Sequence, residues 1–539
     1  QEVVARSQFR GTLKRRTARV HSPVALAAGQ EVFTPADPEQ ACATVVLSAA
    51  NVSPDGEALV WYDLKKKQYQ LWNGSKIRAI SKGVKHPLWE EENDVPDDPN
   101  PHGFAGWLAD NTACLIYDRF DLWKLDTSNS KPPIRLTDKG REHKVRYRLV
   151  RLQSDEKPWQ VGQPLAFRGF RESDKKEQLI QTNWNGSSLT TQRLTAFIPN
   201  IIASIQKAKQ ADRWIYTLEN FQQSPDLYTQ ASNSNPVKLS NLNPQQQNYN
   251  WGTAELYRWT ALDGKPATGV VYKPENFDPK KKYPLILYFY ETHTDALNQY
   301  IPPTPTGSRL NISFFVSRGY IVCSPDIHYT TGQPAQSAYN YVVSAAKSLA
   351  AKPWIDGKNM GIQGQSWGGI QVAQLVTMTN IFKAAWSGAP VANMTSAYGG
   401  IRWESGLNRQ FQYEKAQSRI GATLWERPDL YIKNSPLFHV PKIFTPMVIM
   451  ANDADGAVPW YQGIELFTAM RRLNKPSWML NYNGEAHNLR ERKNQKDISI
   501  REQQFFDWLL KGDKPAKWLT EGVPAIQKGK EWGLELVDE

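Results

Sequence analysis

Cysteine is nearly absent. Cys42, Cys114 and Cys323 are the only three in 539 residues. They are too few and too dispersed for a disulfide framework or a thiolate zinc site. Cys323 lies in the apolar run from Gly319 to Pro325 and reads as a buried core thiol. Whether Cys42 and Cys114 pair is left open. Histidine is also scarce, with eight in the chain, so few residues can act as a base near neutral pH. No apolar run approaches the ~20 residues needed to span a bilayer, and no membrane partner is expected. No export signal stands at the start. The chain opens at Gln1 rather than Met, which fits a processed product or a fragment.

Acidic residues are outnumbered, 53 against 65 basic ones, for a net charge of +12. The basic residues sit in short runs such as Lys65–Lys67 and Lys280–Lys282. They form no stripe with interleaved aromatics, so the reading is a solubilising surface and not a nucleic-acid site. Aromatics, by contrast, are plentiful, with 20 Trp and 22 Tyr. The length exceeds what one hydrophobic core supports, which makes two domains the expectation.

The two halves follow different patterns. Residues 1–245 read as an all-β domain, with short strands between turns. Ala58–Tyr62 follows the turn Val52–Gly56, and Gln70–Trp72 precedes Asn73-Gly74. An Asp-Leu-aromatic signature recurs at Leu122 and Leu227, with Gln70-Leu71-Trp72 as a variant. A loose repeat of roughly 40 to 60 residues suggests propeller blades, about four to five of them, so the ring is small or incomplete. An irregular β-sandwich is the alternative. The first 40 residues carry a basic run from Arg6 to Arg19 and read as an extended lead-in. The stretch Leu239–Thr253 is polar and rich in Asn and Gln, and marks the boundary.

From 254 to 539 strands and helices alternate. Strands are expected at Gly269–Tyr272, Leu285–Tyr290, Tyr320–Ser324, Met360–Gln363, Ala384–Trp386, Met447–Ala451 and Trp478–Tyr482. Within Gln336–Ala350 the residues Ala338, Val342, Ala345, Ala346 and Leu349 share one helical face. This pattern predicts a doubly wound α/β sheet.

The chemistry is carried by Gly361-Ile-Gln-Gly-Gln-Ser-Trp-Gly-Gly-Ile370, which contains G-x-S-x-G centred on Ser366. An apolar strand leads into it and an amphipathic run follows, the context of a nucleophile elbow. The helix end offers the Trp367 N–H to an oxyanion. A serine hydroxyl needs a base, itself oriented by a carboxylate. In α/β-hydrolases the chain order is Ser, acid, His. Beyond Ser366 only His439 and His487 remain. His439 precedes the acid strand, so the base is His487. Asp453 and Asp455 both follow the strand ending at Met450. The D-x-x-V-P spacing before the next helix selects Asp455 and leaves Asp453 to cap the turn.

Residues from about 254 to 512 resemble the catalytic domain of the prolyl oligopeptidase family of serine peptidases. The matching pieces are Lys282–Tyr290, the Gly-Gln-Ser-Trp-Gly-Gly elbow, Gly388–Val391, Asp455–Pro459 and Glu485–His487. The resemblance implies a β-propeller domain followed by an α/β-hydrolase domain. It gives Tyr290 the role of a second oxyanion donor. It also places Trp367, Val391, Tyr398 and Val458 around a small apolar pocket for the residue before the scissile bond. Glu91 and Glu92, in the acidic loop Trp89–Asp98, resemble the pair that binds a substrate's α-ammonium in dipeptidyl peptidases; a solvated acidic loop is the plain alternative. Two departures stand out. Glu291-Thr-His-Thr replaces a Gly-rich stretch after Tyr290, and Ala457 stands where relatives place Asn or Arg to hold the substrate backbone.

The expectation is a serine peptidase acting on short peptides, with no metal or cofactor. The resemblance further implies an exported enzyme, and a homo-oligomer is admissible. An oligopeptidase or acylaminoacyl peptidase, an esterase on the same fold, and a non-catalytic propeller protein are the rivals.

Overall fold

The computed structural model describes residues 50–128, 130–152 and 158–538. The expected lead-in and Cys42 lie outside them. The chain divides into two compact units. Of the described residues, one holds 50–93, Asp97–Asn220 and Pro225–Leu242; the other holds Asp94–Pro96, Phe221–Ser224 and 243–538. The division between Leu242 and Asn243 falls inside the polar stretch Leu239–Thr253, part of which folds as a short 3-10 turn, Pro244–Asn248.

The first unit contains four antiparallel four-stranded sheets, each built from strands consecutive in the chain. Their second strands are Leu59–Asp63, Ala113–Tyr117, Pro164–Arg171 and Trp214–Asn220, a repeat of about 50 residues. Successive sheets share buried cores. Val60, Leu71, Cys114 and Ile116 form one, Leu115, Phe167 and Ile180 the next, and Ala166, Leu179, Ile202 and Tyr216 the third. Cys114 is fully buried, and that burial raises its thiol pKa.

The Asp-Leu-aromatic signature falls on the third strand of its sheet and has a local cause. Asp121 accepts from the Thr137 hydroxyl and Gly140 N–H, while Thr137 accepts from Leu122 N–H. Asp226, Ser240 and Leu227 repeat the arrangement. So, in part, do Leu179 with Thr195 and Tyr69 with Ser81. A hydroxyl 12 to 16 residues downstream thus accepts from the main chain of each sheet's third strand.

The second unit is built on one eight-stranded sheet. Its strands are β1 (Gly252–Thr260), β2 (Pro266–Pro274), β3 (Tyr283–Tyr288), β4 (Ile321–Pro325), β5 (Ile355–Gln365), β6 (Ala384–Gly388), β7 (Met447–Met450) and β8 (Ser477–Leu480). The order across the sheet is β1-β2-β4-β3-β5-β6-β7-β8. The pairs β1–β2 and β2–β4 are antiparallel and the others parallel. Four helices matter below: α1 (Ile312–Ser317), α2 (Trp367–Leu375), α3 (Tyr461–Arg472) and α4 (Arg492–Phe506).

The strands are apolar runs because both faces are covered. Ile321 and Cys323 face one core and Val322 the other; Met447 and Ile449 alternate in the same way with Val448 and Met450. The expected helix over Gln336–Ala350 starts at Pro334 and carries one π-helical turn at Tyr339–Val343. Of its predicted face, Val342, Ala345, Ala346 and Leu349 are buried in the first of these cores, and Ala338 is buried as well. Strand β1 escapes sequence detection because it is an edge strand whose residues alternate between partial and full exposure.

Candidate active site

The site forms at the carboxyl ends of the parallel strands, where loops leave the sheet. Strand β5 ends at Gln365 and α2 begins at Trp367, so Ser366 is the whole turn between them. Its backbone has φ 60 and ψ −115, a conformation an L-residue adopts only when its surroundings impose it. The imposition is visible. Ser366 N–H donates to Gly388 O at 2.8 Å and Ser366 O accepts from Ile370 N–H at 3.0 Å. The motif glycines permit this closeness. A Cβ on Gly364 would stand 2.5 Å from the Gly368 carbonyl, and one on Gly368 would stand 2.5 Å from Phe289 O. A Cβ on Gly369 would fall on Gly388 O. The turn leaves the Trp367 N–H at the first position of α2, where a helix has no internal acceptor for it.

His487 and Asp455 arrive from neighbouring loops. Asp455 follows β7 and is buried; its Oδ2 lies 2.7 Å from His487 Nδ1. Its Oδ1 accepts from Ala457 N–H and Val458 N–H, each at 2.8 Å. With both lone-pair directions of Oδ1 committed to main-chain N–H groups, the carboxylate has one orientation, and it fixes the imidazole ring through Oδ2. The loop after β8 is held from several sides. Gln365 Nε2 donates to His487 O, Asn452 Nδ2 to Ala486 O, and Asp453 accepts from Asn483 Nδ2 and Gly484 N–H. Burial pushes the Glu485 carboxyl up, but the Arg490 and Glu491 N–H groups and Asn494 outweigh it and leave the pKa below the usual range. Asp453 is drawn down by Asn483 and Gly484 N–H. It therefore staples the His487 loop.

Ser366, Trp367, His487 and Tyr290 border one cavity of about 140 Å³. Tyr290 lies two residues beyond the end of β3, and its hydroxyl accepts from Gln417 Nε2 at 3.0 Å, which leaves its proton free to donate. Gln417 also reaches Glu291, and Glu291 pairs with Arg419 at 3.2 Å. The departure after Tyr290 therefore has a structural use, since Glu291 anchors the side chain that positions Tyr290.

Val391 and Val458 line the cavity; Tyr398 does not. Tyr398 is buried behind the wall, packed on Tyr413 and Tyr431, with its hydroxyl donating to Glu414 at 2.6 Å. Nor is the pocket the small apolar one expected, because Arg402, Arg409, Gln412, Gln417 and Ser418 also form its wall. These come from the segment between β6 and β7, which carries no periodic signal in the sequence. At Ala457, where the family resemblance leads to the expectation of a polar side chain, the main-chain carbonyl accepts from Arg409 Nη1. Glu91 and Glu92 lie in the first unit. Glu91 is held by Arg141 through two hydrogen bonds of 3.0 and 3.2 Å, and Glu92 pairs with Arg119 at 2.7 Å.

Ser366 in its strained strand-to-helix turn, Trp367, Tyr290 and His487 thus border one cavity, with Asp455 paired to His487 behind it, an arrangement that matches the pattern of a serine hydrolase of the α/β type. Residues 306–513 match the sequence model of the prolyl oligopeptidase family, and the chain is similar to that family through this domain. The chain is 26% identical over 276 residues to dipeptidyl-peptidase 5 of Porphyromonas gingivalis, covering 47% of this chain and 37% of that protein. It is 26% identical over 251 residues to the uncharacterized peptidase YuxL of Bacillus subtilis, covering 44% and 35%. The chain thus spans little more than a third of the length of these curated relatives. The solved structure of a puromycin-hydrolyzing peptidase from Mycobacterium tuberculosis superposes with a TM-score of 0.60 at 17% identity, covering 86% of this chain and 70% of that one. That likeness concerns the fold.

Proposed function

We propose that this chain is a serine peptidase that cleaves short peptides through an acyl-enzyme on Ser366. The observation that carries the reading is the 2.7 Å bond between His487 Nδ1 and Asp455 Oδ2 beside the strained Ser366 turn on one cavity. Ser366 Oγ attacks the peptide carbonyl and its proton passes to His487 Nε2. Asp455 holds Nδ1–H and stabilises the imidazolium. The developing oxyanion accepts from the Trp367 N–H and the Tyr290 hydroxyl. As the C–N bond breaks, His487 returns the proton to the departing amine. Water then repeats the sequence on the ester and frees Ser366.

The four consecutive four-stranded sheets, stacked through shared cores, support reading the first unit as blades of a β-propeller.

A dipeptidyl peptidase is the finer reading. It is supported by the relatives named dipeptidyl-peptidase 5 and by the carboxylate pair Glu91 and Glu92. Two close carboxylates suit one α-ammonium. A second reading, an oligopeptidase or acylaminoacyl peptidase, is favoured by one observation: Arg141 and Arg119 already neutralise that pair. Comparing a dipeptidyl amide with its N-acetylated form separates them. A dipeptidyl peptidase loses kcat/KM by about 10-fold or more on acetylation, the value of one charge-assisted hydrogen bond, and Glu91→Ala and Glu92→Ala lose as much on the free amine. Unchanged rates in all three comparisons assign the second reading.

A further inference from the structure

Three arginines stand in or beside the cavity wall, and two are neutralised. Arg402 holds Glu404 at 2.7 Å. Arg419 holds Asp94 at 2.6 Å and Glu291 at 3.2 Å. Arg409 is different. It is only 1% exposed, yet among the described residues it has no carboxylate within ion-pair distance. Its Nη1 donates to the Ala457 carbonyl, and its Nε has no hydrogen-bond partner. A buried guanidinium without a counter-charge is expensive, and folded proteins keep one where something else supplies the charge.

Arg409 enters the cavity wall between two short elements of the β6–β7 segment. The hairpin strand Leu407–Asn408 ends just before it and the helix Gln410–Glu414 starts just after. Its N–H donates to Gly400 O, which fixes the main chain. Gln412, Gln417 and Ser418 continue the wall. The same cavity is lined by Ser366, Trp367 and His487, so a substrate side chain that fills it would be carried next to the carbonyl that Ser366 attacks. The volume of about 140 Å³ has room for about four to five water-sized groups at ~30 Å³ each. A glutamate side chain places four heavy atoms beyond its Cβ.

We propose that Arg409 is a specificity-determining residue that selects an acidic side chain, glutamate above all, on the residue whose carbonyl is attacked. The inference rests on the peptidase reading above and names the substrate class of that same site. The guanidinium presents planar donors that match a carboxylate. Glutamine fills the same volume without the charge, so it is the control.

The test uses the full chain and two chromogenic dipeptidyl amides that differ only in Glu against Gln at the residue before the cut. The expected Glu/Gln ratio of kcat/KM is about 10 to 100, the span of one charge-assisted hydrogen bond. Arg409→Met is expected to bring the ratio to about one, and Arg409→Lys to keep it above one. A wild-type ratio at or below one overturns the proposal, and so does an Arg409→Met variant that slows both substrates by the same factor. If Arg409→Met does not fold, wild type alone decides. The product dipeptide ending in Glu must then slow fluorophosphonate labelling of Ser366 at a concentration at least 10-fold below that needed for its Gln counterpart. The same labelling keeps the two claims apart. An unlabelled Ser366 defeats the peptidase reading, whereas a labelled Ser366 with no Glu preference defeats only the role of Arg409.

Discussion

Replacing Asp455 with Asn preserves shape and removes charge, and the surrounding hydrogen bonds dictate how the amide turns. Oδ1 accepts from two main-chain N–H groups, those of Ala457 and Val458, both at 2.8 Å. An NH₂ group turned toward them would set donor against donor twice, so the amide oxygen takes that side. The amide nitrogen is left facing His487 Nδ1 across 2.7 Å. It donates, Nδ1 must accept, and the ring proton moves to Nε2. A ring protonated at Nε2 cannot take the Ser366 proton. The expected loss in kcat is about 10⁴-fold, the size of the tautomer effect in a serine triad, or about 5.5 kcal/mol of barrier. Asp453 is the internal comparison. It is exposed and grips Asn483 Nδ2 at 2.6 Å and Gly484 N–H at 2.7 Å. Asp453→Asn therefore loosens the His487 loop without touching the ring, and is expected to cost kcat less than about 10-fold, one or two neutral hydrogen bonds. Steady-state kinetics of both variants on one chromogenic peptide, with circular dichroism as a folding control, decides the matter. Equal losses, or a greater loss at Asp453, would refute the reasoning.

Tyr290→Phe removes one oxyanion donor and strands Gln417, so kcat is expected to fall about 10²- to 10³-fold with KM little changed; an unchanged kcat leaves the oxyanion to Trp367 alone. Gly369→Ala drives a methyl into the Gly388 carbonyl. The backbone there cannot move without dismantling the elbow, so the expected destabilisation is at least about 3 kcal/mol, the top of the overpacking range, read as a drop in Tm. His102 is held well below the usual imidazole range of 6.5, at about 4, first by burial and then by Arg148 and Arg119, against the opposing pull of Glu91 and Asp118. The folded state resists protonation there, so its stability contribution is complete above pH 6.5 and is lost as pH falls toward 4. His102→Gln is expected to lose less Tm than wild type between pH 7 and 5, and an identical loss would show that the acid sensitivity lies elsewhere.

The Ser366 turn is legible because its geometry restricts its neighbours: only glycine fits at 364, 368 and 369, so the turn is written into the residue types. The pairing of His487 with Asp455 is legible from chain order, because His439 falls on the wrong side of β7. The parallel strands stood out because burial on both faces makes them uninterrupted apolar runs. What the sequence hid has one physical source. Gln365, Asn452, Gln417, Glu291 and Arg409 act through one or two hydrogen bonds each to residues far away in the chain, and such pairs leave no period. The β6–β7 segment is the clearest case. Its elements are two to seven residues long, too short for a helical or strand pattern to register. Yet it supplies much of the cavity wall and turns an expected apolar pocket into a polar one. Tyr398 belongs to the same segment, and its displacement behind the wall follows from the aromatic cluster with Tyr413 and Tyr431 that claims its ring.

The account stands or falls on Ser366 as a covalent nucleophile. Incubation of the full chain with a fluorophosphonate, followed by peptide mass spectrometry, reads this directly. The account predicts a single stoichiometric adduct on the peptide containing Ser366, slowed by a competing peptide substrate and abolished in Ser366→Ala. No adduct, an adduct on another residue, or undiminished labelling of Ser366→Ala would contradict it.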